Sequence, residues 1–95
     1  MEVRRTERFA EWLDGLRDLR ARARIQARIE RLACGNPGDV EPIGEGVSEM
    51  RIHCGPGYRV YYKQLADVLL ILLAGGDKRT QTRDVKTALM LARGL

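Results

Sequence analysis

Within Ser48–Lys63, SEMRIHCGPGYRVYYK, charged and polar side chains alternate with apolar ones, and a basic pair, Lys78-Arg79, follows the next apolar segment. Strand periodicity puts Met50, Ile52 and Cys54 on one face and Glu49, Arg51 and His53 on the other. In the second half of the hairpin Tyr58, Val60 and Tyr62 share a face, leaving Arg59, Tyr61 and Lys63 opposite. With the apolar faces turned to helices, Arg51, His53, Arg59 and Tyr61 are expected to gather on an open side. Lys78 and Arg79 join them from the end of the following strand. Guanidinium and ammonium groups hold phosphates, a phenol offers a stacking plane, and an imidazole moves a proton near neutral pH. The chemistry that unites them is recognition of RNA phosphate, with proton transfer beside it.

These residues need elements to position them. Glu2–Arg4 reads as a short edge strand, followed by Thr6 as an N-cap with Glu7 in the first helical turn. Phe9, Trp12, Leu13 and Leu16 follow i, i+3, i+4, i+7 spacing and predict a helix with one apolar stripe and a core role for Phe9 and Trp12. Gly15 and Asp18 break the pattern, and Asp18 is placed to cap a second helix. Ala21, Ile25, Ile29 and Leu32 form its buried stripe, and Gly35 ends it. The arginines on its other faces read as a solvated surface, or as a contact for RNA or an acidic protein. From Gly35 to Gly46 glycines and prolines crowd the chain, so a connecting loop is expected there with no regular element. Strands follow at Val47–Cys54 and Tyr58–Lys63, joined through Gly55-Pro56-Gly57. A third strand, Val68–Ala74, is apolar at every position and therefore central or covered, and Gly75 and Gly76 are expected to stop it. A helix over Gln81–Arg93 closes the order β-α-α-β-β-β-α.

The length of 95 residues suits one domain spanning 1–95, with room for a single modest core. The expected class is α+β: a small antiparallel sheet, two N-terminal helices packed on one face, and a C-terminal helix. Seventeen basic residues against thirteen acidic ones give +4, which favours a polyanion or an acidic protein as partner. Two cysteines, Cys34 and Cys54, and a single histidine match no zinc-ligand spacing, so neither a metal nor another cofactor is expected. Free thiols point to a reducing cytoplasm, and no apolar run is long enough to span a bilayer.

FAEWLDGL, RLACGNPGD, GPGYRVYY and GGDK, taken together over Phe9 to Leu91, resemble the RelE/ParE toxin superfamily, and within it the HigB-like addiction module killer proteins. The resemblance implies a RelE-like fold and a type II toxin–antitoxin module. It further implies a cognate helix-turn-helix, DNA-binding antitoxin in a hetero-oligomer with the toxin, and messenger RNA on the translating ribosome as substrate. By motif position Arg51, Arg59 and Arg79 match basic positions of the family, with Lys78 beside them. Glu49 stands where the best-known pattern has lysine, and Val85 falls near that pattern's C-terminal tyrosine. His53 is implied to compensate, because HigB-like toxins use histidines where others use lysines.

The implied reaction is a metal-free attack of a ribose 2′-hydroxyl on the adjacent phosphorus. Arg51 and Arg59 stabilise the phosphorane, His53 acts as base or acid, Tyr61 stacks or orients, and Lys78 with Arg79 supply further phosphate contacts. Two other functions share the resemblance: a ParE-like inhibitor of DNA gyrase without catalysis, and an inactive toxin-fold binding protein. A plainer reading of Arg51 and Arg59 makes them strand residues ion-paired with Glu49 or Asp67.

Overall fold

The computed structural model describes residues 1–95. In chain order the elements are β1 (Glu2–Arg5), α1 (Glu7–Asp14), α2 (Leu19–Ala33), β2 (Val40–Gly44), β3 (Val47–Ile52), β4 (Tyr58–Leu65), β5 (Leu69–Asp77), a 3₁₀ turn (Lys78–Thr80) and α3 (Gln81–Arg93).

Local chemistry fixes the helix ends. Thr6 Oγ1 accepts from the Phe9 amide at 3.1 Å and donates to the Leu73 carbonyl at 2.6 Å, so one hydroxyl caps α1 and ties it to β5. Asp18 caps α2 by accepting from the amides of Arg20 and Ala21. At the other end of α2, Gly35 adopts φ +88°, its amide donates to the Leu32 carbonyl and the Asn36 amide donates to Arg31. That pair of bonds is a Schellman stop, available because glycine tolerates the left-handed conformation.

The strands form one sheet in the order β1-β5-β4-β3-β2. It is mixed where an antiparallel sheet was expected, because β1 runs parallel to β5, with Glu2 opposite Leu69 and Arg5 opposite Leu72. The intervening helices and strands supply the long connection that a parallel neighbour requires.

A second correction concerns the stretch before Gly46, which carries strand β2 instead of a loop. Pro42 is tolerated because β2 lies at the sheet edge, where a missing amide leaves no inner ladder broken. The β2–β3 hairpin turns through Glu45 (φ 54°) and Gly46 (φ 79°), the two left-handed residues of a tight hairpin.

The third correction is at Gly75 and Gly76, which continue β5 to Asp77 instead of ending it. Successive strand residues face opposite sides, and here each side is crowded. A Cβ on Gly75 would lie 2.1 Å from Cε3 of Trp12, and one on Gly76 would lie 1.8 Å from Oδ2 of Asp84. The glycines mark two close approaches, from α1 on one face and α3 on the other.

Both faces of the sheet are therefore covered. On one, Phe9, Leu13, Ile25 and Leu32 of the helical pair pack against Met50, Ile52, Val60 and Leu72. On the other, Ala88 and Ala92 of α3 pack against Val47, Tyr61, Ile71 and Leu73. Phe9 is fully buried, whereas Trp12 is only partly buried, its ring lying at the rim between Phe9 and Tyr58. No helix is long and apolar enough to cross a membrane.

Candidate functional site

Arg51 and Arg59 stand directly opposite each other across β3 and β4. Like charges in that register repel, so the pair needs a carboxylate between them. Glu49 provides it: Oε1 lies 3.0 Å from Nε of Arg59, and Oε2 lies 3.6 Å from Nε of Arg51. The Arg59 contact is an ion pair without hydrogen-bond alignment, since that Nε has no hydrogen-bond partner. Arg59 instead donates through Nη1 to the Gly57 carbonyl at 2.7 Å. The Glu49 side chain is only 3% exposed and also accepts from Gln81 Nε2 at 2.7 Å and from the Tyr61 hydroxyl at 3.3 Å. Of the two partners considered for the arginines, Glu49 is used and Asp67 is not.

Tyr61 occupies the expected face, but that face is closed over it by α3, and its side chain is fully buried instead of turned to solvent. Burial, and after it the Glu49 charge, pushes its hydroxyl well above the usual tyrosine range. It cannot stack on a base in this arrangement.

Arg51 is also more constrained than an open cation. Its guanidinium pairs with Glu41 of β2, lies 3.6 Å from Asp39 Oδ1, and borders Glu49, leaving its side chain 31% exposed. Arg28 of α2 braces this corner by donating to the Arg51 carbonyl at 2.8 Å and the Pro37 carbonyl at 3.1 Å.

His53 follows the last residue of β3 and projects into solvent, 73% exposed, with Nε2 2.5 Å from Oδ2 of Asp39. The imidazole in turn holds the Asp39 carboxyl below its ordinary 3.8, with the Arg51 and Arg28 charges adding to the effect and desolvation opposing it. A carboxyl depressed in the folded state stabilises the fold above its ordinary value and loses that contribution as pH falls through the lower, folded-state value. In a carboxyl-detected NMR titration the Asp39 midpoint is expected below 3.8, returning towards it in His53→Ala. A wild-type midpoint at the ordinary value would mean that the contact is not held in solution.

The hairpin loop brings these groups to one place. Gly55 (φ 54°) and Gly57 (φ 79°) fold the loop tightly, and a Cβ on Gly57 would lie 3.3 Å from Nη1 of Arg59 and in ordinary contact with Lys78. The result is a groove of about 540 Å³ whose lining includes Arg51, His53, Arg59 and Lys78. Lys78 is exposed, with no hydrogen bond or ion pair on its ammonium. Four of the six residues singled out from the sequence thus meet. Arg79 does not line the groove; it turns back on Asp77, 3.0 Å away, and lowers that carboxyl's pKa.

Sequence reasoning missed Asp39 and Glu41, because they fall in the stretch read as a loop, and Gln81, whose reach to Glu49 depends on where α3 docks. Val40 and Ile43 are three residues apart and serve opposite faces of the sheet, so this stretch carried no strand alternation to read. No three His, Cys, Asp or Glu side chains converge to hold a metal ion, and Cys34 and Cys54 are unpaired thiols.

Compared with known proteins, the chain is 50% identical over 95 residues to a Haemophilus influenzae protein described as "Uncharacterized protein", covering 100% of this chain and 96% of the relative. The chain belongs to that protein's family. No family model matches it, and no solved structure matches it. The alignment covers the whole length of this chain, β2 included.

Proposed function

We propose that this chain is a RelE-like, HigB-type toxin of a type II toxin–antitoxin module that cleaves messenger RNA on translating ribosomes and is neutralised by a cognate helix-turn-helix antitoxin. One observation carries the reading: an imidazole with an oriented partner carboxylate lines the same groove as Arg59 and an unpaired Lys78. The order of helices and strands, with helices on both faces of the sheet, fits the same family, although β1 makes the sheet mixed.

In the proposed reaction Arg59 and Lys78 hold the non-bridging oxygens of the scissile phosphate. His53, oriented by Asp39, takes the proton of the ribose 2′-hydroxyl as its oxygen bonds to phosphorus. The bond to the 5′ oxygen breaks, and solvent in the open groove protonates the departing group, leaving a cyclic phosphate and a free 5′-hydroxyl. Arg51, engaged by carboxylates, contributes field rather than a free donor, and buried Tyr61 positions Glu49.

The test is primer extension on a reporter message after induction. Wild type is expected to produce truncated messages, and His53→Ala to lower cleavage by about 10²-fold or more, the scale of a general acid–base group. Cleavage unchanged in His53→Ala would remove the histidine from the mechanism. Intact messages together with a DNA-damage response would replace the nuclease with the gyrase inhibitor. That second reading is favoured by one feature, the saturation of Arg51 by acidic neighbours, which suits a binding surface as well as a catalytic one. Intact messages with no damage response would leave an inactive toxin-fold binder.

A further inference from the structure

α2 presents Arg20, Arg24, Arg28 and Arg31 to a second groove, of about 650 Å³, which meets the hairpin at Ile52 and His53. At 100° per residue these four positions fall within an arc of about 80°, beside the buried stripe of Ala21, Ile25, Ile29 and Leu32. They are spread over about 16 Å of helix, with about 6 Å from Arg20 to Arg24 and again to Arg28.

Their partners distinguish this row from an ordinary solvated face. Arg22, on another side of α2, pairs with Asp14 at 3.6 Å. Arg20, Arg24 and Arg31 pair with no carboxylate and donate to no acceptor through their side chains, while Arg28 is fixed by two backbone carbonyls. Glu30, the one acidic residue within α2, does not line the groove. Asp18, at the far end, spends Oδ1 on capping the helix.

We infer that this groove is a track for the sugar-phosphate strand of single-stranded RNA, carrying the nucleotides that flank the phosphate held at His53. The inference rests on the RNA reading above and extends it to a segment of strand that the hairpin groove does not reach. Guanidiniums on successive helical turns suit a chain of regularly spaced phosphates, each able to take a bidentate contact. An acidic protein fits less well: the apolar part of the lining is only Ala23, Ala27 and the buried Ile52, so this surface offers no large exposed side chain to a protein partner and the guanidiniums are its main points of contact. The two grooves share Ile52 and His53 and neither is lined by an acidic residue, so a strand leaving one can enter the other, passing Asp39 only where it is engaged by His53.

The test measures binding of a fluorescent 2′-O-methyl oligoribonucleotide, which cannot be cleaved, to the whole chain over a range of salt. The variant is Arg20→Gln/Arg24→Gln/Arg31→Gln, with Arg28 kept because it braces the Arg51 corner. Each phosphate contact on a single strand contributes about 0.7 to the logarithmic salt slope, so losing three flattens it by about 2. Circular dichroism matching wild type, with the flatter slope and at least tenfold weaker binding at low salt, is the expected result. Equal slopes for variant and wild type overturn the track. So does wild-type binding of polyglutamate as tight as that of the oligoribonucleotide and lost in the same variant, which assigns the groove to an acidic protein. A flattened slope in a protein that cleaves no message keeps the track and removes only the nuclease.

Discussion

Glu49→Ala is expected to destabilise the protein by about 3–5 kcal/mol, the scale for removing one partner of a buried ion pair. The carboxylate separates two guanidiniums in direct cross-strand register, and the Arg59 side chain is only 13% exposed, so water cannot replace the lost charge fully. Its removal also deprives Gln81 and the Tyr61 hydroxyl of their acceptor beneath α3. Urea unfolding should show a lower midpoint with little change in slope. Glu49→Gln keeps an acceptor but not the charge, and should lose less than alanine. Adding Arg59→Ala to Glu49→Ala should recover part of the loss, since the one cation left without a carboxylate is then gone, Arg51 keeping Glu41 and Asp39. A Glu49→Ala variant as stable as wild type would mean that Arg59 does not depend on its carboxylate.

Gly76→Ala is the second large effect, and two opposing terms decide its sign. Alanine in a strand restricts the unfolded chain and by itself would stabilise by about 0.5–1 kcal/mol. Against that, its methyl would lie 1.8 Å from Oδ2 of Asp84, whose carboxylate is buried and accepts from the Thr80 hydroxyl at 2.5 Å. Overpacking of this kind costs about 1–3 kcal/mol, with more expected where a buried carboxylate cannot swing into solvent. With the overpacking cost at the upper end of that range, the net loss is expected at about 2 kcal/mol by urea unfolding, with α3 loosened at its N-terminus. Asp84→Ala should relieve the clash, so the double variant should lose less than the sum of its parts. Additive losses would place Asp84 farther from β5 than the structure does.

Much of the fold could be read from residues whose signals are local. Thr6, Asp18 and Gly35 mark helix ends because capping depends on neighbours within a few positions, and Phe9, Leu13, Ile25 and Leu32 keep helical period. The bounds of α3, Gln81–Arg93, were legible for the same reason. β2 was not, because a glycine- and proline-rich edge strand is defined by its partner β3 and not by its own propensity. The burial of Tyr61 was half legible. The parity that put it opposite Val60 holds, but a β5 apolar at every position already required cover on both faces. Tyr61 pairs with Ala74 of that strand, so the cover over Leu73 extends across it. The candidate site divides along the same line: hairpin and turn brought Arg51, His53, Arg59 and Lys78 together with Glu49, whereas Glu41 came from β2 and Asp39 from the residue before it.

The parallel placement of β1 has a consequence for biosynthesis. Glu2–Arg5 is made early, yet its only sheet neighbour is Leu69–Leu72, so the strand stays without a hydrogen-bonding partner until about three-quarters of these residues have been polymerised. The β2–β3–β4 meander can zip from nearby turns, whereas β1 waits for β5, the strand that joins it to the rest of the sheet.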